Sequence, residues 1–161
     1  MIHALTYQIE DAFAALPEMQ RLLEKHYDEV AVLQDKIPLD PDYDRYRMLH
    51  AAGALHLVTV RADGELVGYH LSIVSRHLHY KSTIVANDDL FFLKPEHRRG
   101  YTGVRLFKEV EKSLREKGVQ VITSRAKRHV KVGYIQSTVG RILEALGFRE
   151  FERTYIKWIG D

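Results

Sequence analysis

The dipeptide Asp63-Gly64 places the tightest constraint on what this chain can fold into. It separates two strand-like runs, 55–62 (LHLVTVRA) and 66–80 (LVGYHLSIVSRHLHY). Asp-Gly between such runs marks a two-residue β-hairpin, so the two strands must pair antiparallel. A third run, 84–93 (IVANDDLFFL), follows the turn-like Lys81-Ser82-Thr83. The chain then changes character at Lys94-Pro95-Glu96 and enters a helical stripe of Val104, Phe107, Val110 and Leu114. Glu111 and Arg115 form an i,i+4 pair on that helix, and Gly118 is its stop signal. Residues 119–126 read as a further strand, so the unit 84–124 can cross over to give a parallel pair.

The flanks add helices. Ile2 to Ile9 reads as a short strand, and Asp11 can cap a helical stretch that Pro17 interrupts. The main first helix is therefore expected from Pro17 to Leu33, with Met19, Leu22, Leu23, Tyr27, Val30 and Leu33 on its buried face. The stretch IPLDPDYD (37–44) is a loop, and Tyr43, Tyr46, Leu49 and Ala52 indicate a short helix closed by Gly53. A last helical stripe, Ile135, Val139, Ile142, Leu143 and Leu146, ends at Gly147, and the tail with Tyr155 and Trp158 reads as a final strand or hairpin arm. Such an order of elements gives a mixed sheet with helices on its faces, in one domain over residues 1–161.

Composition removes several function classes. The chain has no cysteine, which excludes a disulfide framework, a Cys-ligated metal site and a cysteine nucleophile, and fits a reducing cytoplasm. No apolar run is long enough to span a membrane, and the N-terminus lacks the pattern of a signal peptide. Lys and Arg number 24 against 22 Asp and Glu, a net charge of +2 that demands no nucleic-acid partner. His77 and His79 would share one face of a strand, yet no third ligand is apparent in the sequence, so no metal site is assigned.

The segment Leu93 to Leu106 (LKPEHRRGYTGVRL) carries the chemistry. It leaves the end of a strand and opens a helix, with two glycines and two adjacent arginines. A turn of this kind aims backbone N–H groups outward at the positive end of a helix dipole, which suits a phosphate or pyrophosphate. The alternative is a surface turn with solvated arginines. Neither the P-loop pattern nor G-x-G-x-x-G is present, so nucleoside triphosphate and dinucleotide sites are not supported.

With Pro95-Glu96 ahead of Arg98-Arg99-Gly100-Tyr101-Thr102-Gly103, the arrangement resembles the GNAT (GCN5-related N-acetyltransferase) superfamily and its Gln/Arg-x-x-Gly-x-Gly/Ala signature. Arg98 takes the first place and Gly103 the last, while Tyr101 stands where the family usually has its middle glycine. Leu146-Gly147-Phe148 resembles the family's Leu-Gly-Phe. The His-rich hairpin and the Arg-Gly-Tyr-Thr-Gly form also look like phage- or prophage-encoded members. The resemblance implies an α/β (α+β) fold with a mostly antiparallel mixed sheet and helices on both faces. It implies acetyl-CoA as acyl donor and direct attack of a primary amine on the thioester. The donor's pyrophosphate would meet the turn around Arg98, Arg99, Gly100, Tyr101, Thr102 and Gly103, and its pantetheine arm the backbone of Phe91, Phe92 and Leu93.

The family's usual thiolate-side acid is a tyrosine, and its place here is held by Leu143; Tyr134 is a substitute candidate. The place of a glutamate base seen in some members falls on Asn87, which leaves Asp88 and Asp89 as candidate bases. Alternation along the strand puts Asp89 on the side of Asn87 and Phe91. The basic run Lys127 to Lys131 could meet a phosphate of coenzyme A, and the acidic loop around Asp40 could attract a cationic acceptor. The acceptor is a small molecule or a protein amine; a homodimer stays open, because the family often dimerises. Two rival readings remain, a catalytically silent GNAT-fold binding protein, favoured by Leu143 and Asn87, and a nucleic-acid-associated module using the basic residues of the turn.

Overall fold

Asp11, and not Pro17, opens the first helix. The computed structural model describes residues 4–126 and 138–160. After strand β1 (Leu5–Glu10), helix α1 runs Ala12–Val30. The Asp11 carboxylate accepts hydrogen bonds from the N–H groups of Phe13 and Ala14 at 2.9 and 3.0 Å. This cap, with burial of Ala15, Met19 and Leu22, carries the helix across Pro17, whose exposed ring removes only one bond near the helix start. The rest of the order is α2 (Tyr43–Ala51), β2 (Leu55–Ala62), β3 (Glu65–Arg76), β4 (Ile84–Leu93), a 3-10 turn (Pro95–His97), α3 (Thr102–Glu116), β5 (Val121–Thr123) and α4 (Thr138–Ala145).

The strands form one sheet in the order β1-β2-β3-β4-β5, antiparallel throughout except for the parallel pair β4/β5. The expected hairpin at Asp63-Gly64 and the expected parallel crossover are both present. Alternating side chains divide the core into two layers. On one face Leu57, Leu66, Tyr69, Leu71 and Phe92 pack against Ala15, Met19 and Leu22 of α1. On the other, Val58, Val60, Val67 and Ala86 pack against Leu106, Val110 and Leu114 of α3.

Three expectations need correction. The second hairpin strand stops at Arg76 instead of Tyr80, because His77 turns the chain: its N–H bonds the Thr83 carbonyl at 2.9 Å and its Nδ1 accepts from the His79 N–H at 3.1 Å. The two histidines therefore do not share a strand face. The strand expected over 119–126 is paired only at Val121–Thr123. The tail adopts no strand; Phe151, Tyr155 and Ile159 are exposed there.

One glycine fixes the spacing of β3 and β4. A Cβ on Gly68 would lie 2.6 Å from Leu93 Cδ1 and 2.9 Å from the Phe92 carbonyl oxygen, and the second of these is backbone that cannot swing away. Gly68→Ala is expected to lower stability by about 1–3 kcal/mol, the usual scale of overpacking, as read by urea denaturation. An unchanged midpoint would show that the two strands separate freely at this point.

Candidate active site

At the far end of β4 the sheet opens. β5 pairs with β4 only through Val85↔Val121, Ala86↔Ile122 and Asn87↔Thr123. Thr123 Oγ1 donates to Asn87 Oδ1 at 2.6 Å, which closes this short ladder. Asp88 sits at the fork: its carboxylate accepts from Ser124 Oγ at 2.6 Å and from the Arg125 N–H at 2.9 Å. Burial pushes the Asp88 carboxyl up, against the opposing pull of those hydrogen bonds. Among the described residues, no strand pairs with the outer edge of β4 from residue 89 to 93, where Arg98 Nε takes up the Leu93 carbonyl.

The other edge of β4 carries a bulge. Leu71 of β3 pairs with Leu90 and the next residue, Ser72, with Asp88, so Asp89 is the extra residue. The bulge breaks the alternation expected from sequence. Asp89 meets Tyr46 of α2, accepting a hydrogen bond from its hydroxyl, whereas Phe91 packs on Phe107 of α3 with ring centroids 4.9 Å apart. The two residues thus face opposite sides of the sheet. Burial, reinforced by the neighbouring Asp89 carboxylate, holds the Tyr46 hydroxyl well above the usual phenol range.

The turn after β4 is built as expected in backbone but not in side chains. Gly100 takes φ +72°, a left-handed conformation that L side chains rarely adopt. Tyr101 follows with φ −102° and its side chain 83% exposed, so it leaves the turn open. Tyr101 is the N-cap of α3 and makes no side-chain capping bond. The first bond closing the helix runs from the Arg105 N–H to the Tyr101 carbonyl at 2.8 Å. The N–H groups of Thr102, Gly103 and Val104 precede it and point out of the helix end. Arg99 and Gly100 are exposed beside them.

Arg98 does something else. Its Nε donates to the Leu93 carbonyl at 2.6 Å, its guanidinium pairs with Glu29 of α1 at 2.6 Å, and it stands 5.6 Å from the Phe92 ring centre. It staples the turn to α1. Gly103 is buried, and a Cβ there would approach Ile142 Cδ1 of α4 at 3.3 Å, so the glycine lets the two helices meet. Phe92 and Leu93 are buried and Phe91 half-buried, which leaves only their backbone for a ligand. Leu143 is 6% exposed and belongs to the packing of α4. Tyr134 and the run 127–131 lie outside the described residues.

Beside the bulge a cavity of about 320 Å³ opens between α1, the loop 38–42 and α2, with Leu55, Leu71 and Leu90 as its floor. Tyr46, which donates to Asp89, is part of its wall. Tyr46, Glu29 and Ser124 are the site residues that sequence reading missed. Tyr46 showed only as one position of a helical stripe, and nothing local to Glu29 or Ser124 signals a partner 69 or 36 residues away.

A match to the acetyltransferase (GNAT) domain family spans residues 2–122. The chain belongs to the GNAT acetyltransferase family. Solved structures agree on the fold of this GNAT domain. An aminoglycoside acetyltransferase from an uncultured soil metagenomic sample, in complex with sisomicin, superposes with a TM-score of 0.70 at 13% identity, covering 98% of this chain and 97% of that one. A ribosomal-protein-alanine N-acetyltransferase from Brucella melitensis gives 0.67 at 18% identity, over 98% and 100%. A predicted acetyltransferase from Clostridium acetobutylicum, solved with acetyl-CoA, gives 0.64 at 13% identity, over 97% of each chain. No curated protein matches the sequence. Among the described residues no helix is long and apolar enough to cross a membrane, and no group of three or more His, Cys, Asp or Glu could hold a metal ion.

Proposed function

We propose that this GNAT domain transfers an acetyl group from acetyl-CoA to a primary amine by direct attack within a ternary complex. The observation that carries the reading is the fork between β4 and β5 beside the uncapped start of α3. An unpaired strand edge offers N–H and C=O groups to an amide-bearing arm such as pantetheine. The N–H groups of Thr102, Gly103 and Val104, which precede the first helical bond, with Arg99 and the amides of Gly100 and Tyr101 beside them, suit a pyrophosphate. Arg98, held by Glu29 and Leu93, fixes the shape of the turn instead of meeting the phosphates. The proteins solved with acetyl-CoA or with an aminoglycoside support donor and amine chemistry in this fold.

In this reading the amine nitrogen attacks the thioester carbonyl carbon, the C–S bond breaks, and the amine's proton passes to a base. Asp89 serves as that base, directly or through water, because its exposed carboxylate stands at the bulge next to the cavity. Asp88 is engaged by Ser124 and Arg125 and holds the fork. Leu143 has no proton to give the departing thiolate, which leaves that role to Tyr134 or to solvent. Most of the acceleration then comes from positioning the two substrates.

The first test is the thermal midpoint with acetyl-CoA, using ATP and NAD as controls. At about 100 times its dissociation constant a ligand adds about 2.7 kcal/mol, which is roughly a 5–10 °C rise for a domain of this size. A rise with acetyl-CoA alone, followed by release of free thiol in the presence of amines, is the expected result. No rise at millimolar acetyl-CoA would overturn the donor assignment. A rise without turnover of any amine would favour the catalytically silent relative.

A further inference from the structure

We infer that the acceptor is an arylalkyl primary amine, a cation carried on an aromatic body; the inference rests on the proposed acetyl transfer and names its acceptor. The cavity beside Asp89 has a volume of about 320 Å³, room for one or two rings. Its walls are mostly apolar and aromatic: Leu16, Leu23, Leu55 and Leu90 among aliphatic residues, with Phe13 and Tyr43 among the rings and Gln20 as the uncharged amide. Among the described residues, the charged side chains lining it are Asp40 and Asp42, and no Lys, Arg or His is in the lining. Asp42 spends one oxygen capping α2, where it accepts the Arg45 N–H at 2.9 Å. Two basic groups of α2 stand against the cavity-lining Phe13, and each has its own carboxylate: Arg47, 5.8 Å from the ring centre, is tied to Asp44 at 2.6 Å, and His50, with its ring 5.1 Å away, meets Asp11 at 3.2 Å.

The mouth is held in place as well. Gln34 Nε2 donates to the carbonyls of Tyr27, Asp28 and Ala31, each at 3.2 Å, and the Tyr27 hydroxyl donates to the Ile37 carbonyl. These bonds pin the segment that leads from α1 into the acidic loop. Leu39 remains 37% exposed at the edge of the cavity, next in sequence to Asp40. An ammonium drawn to the acidic rim and a ring laid among the leucines satisfy both halves of this lining. A polyhydroxylated or polycationic amine fits it poorly, because its polar groups would face Leu16, Leu23 and Leu90 without hydrogen-bond partners.

The experiment is equilibrium binding to the full chain in the absence of acetyl-CoA, by calorimetry, with phenethylamine, phenylpropionate, spermidine and kanamycin as probes. Phenethylamine is expected to bind at least tenfold more tightly than each of the other three. Leu23→Lys is expected to weaken phenethylamine at least tenfold while the acetyl-CoA thermal shift is kept, and Leu16→Lys on the same helix checks the result with a second folded variant. Spermidine or kanamycin binding as tightly as phenethylamine, or both variants leaving its affinity unchanged, would overturn the inference. The two readings fail separately. If acetyl-CoA raises the midpoint but the polar amines bind best, only the acceptor class falls; if phenethylamine binds and acetyl-CoA has no effect, the transfer reading falls and with it the word acceptor.

Discussion

Between pH 6.5 and pH 4 the domain is expected to lose several kcal/mol of stability, through two histidines with no role in the proposed chemistry. His56 and His70 are 1% and 0% exposed between the sheet and α3. His56 Nε2 bonds Ser113 Oγ at 2.8 Å, and His70 Nδ1 bonds Ser72 Oγ at 3.3 Å, with the Phe107 ring 5.4 Å from His70. Among the described residues, His56 Nδ1 and His70 Nε2 have no hydrogen-bond partner. Burial pushes both imidazoles down to about 4, aided at His56 by the charge of Lys117 and at His70 by His56 itself.

The sign follows from where the protons bind. An unfolded histidine takes up its proton near pH 6.5, while these two in the fold stay neutral until about pH 4. Over that window the unfolded state holds more protons, so stability falls as pH falls, by up to about 1.4 kcal/mol per pH unit for each histidine. Above the window neither residue contributes to pH dependence. Below it, Glu10 and Glu18, held low by hydrogen bonds from Arg61, continue the loss as they protonate. Asp88, raised by burial, works in the opposite direction. A total stability of about 5–15 kcal/mol is ordinary, so unfolding at room temperature near pH 4–5 is the expected outcome. Denaturation midpoints at half-unit steps should show this slope, and His70→Gln should remove about half of it. A flat profile between pH 7 and 5 would mean that water reaches these rings.

Local signals translated well into local structure. Asp63-Gly64 became the hairpin, the Val104-Phe107-Val110-Leu114 stripe became the buried face of α3, and Gly118 and Gly147 ended their helices. The expected α/β class, with a mostly antiparallel sheet and helices on its faces, is the fold observed. The turn at residues 98–103 was legible because one short stretch sets its backbone. Three features were hidden for one physical reason: each depends on a partner distant in sequence. The bulge at Asp89 is defined by its register against β3, Arg98 is captured by Glu29 on α1, and the cavity exists only where α1, α2 and β4 converge. Period-two alternation cannot see an added residue, so it puts Asp89 and Phe91 on one side. Pro17 misled in the opposite sense, since the Asp11 cap and a buried face outweigh the one bond a proline removes.

The bulge also sets the second large effect. Asp89→Asn is expected to lower kcat about 100- to 1,000-fold, within the usual range for loss of a general base. Asparagine keeps the size of the side chain and can still accept the Tyr46 hydroxyl hydrogen bond, so the fold and the bulge should survive; what it cannot do is take a proton. The acetyl-CoA thermal shift should be unchanged, because the donor site proposed here is the turn and the fork, away from the Asp89 carboxylate. Tyr46→Phe tests the support of the same group. It removes the hydroxyl that orients Asp89 and should cost roughly tenfold in kcat, the loss expected when a positioned base is misplaced. Asp88→Asn is the contrast. It weakens the bonds to Ser124 and the Arg125 N–H that close the fork, so its effect should fall on the melting midpoint and on donor affinity together. If Asp89→Asn retained more than half of the wild-type kcat while Asp88→Asn lost activity at full stability, the base would be Asp88, and the fork itself would be the place where the proton is taken.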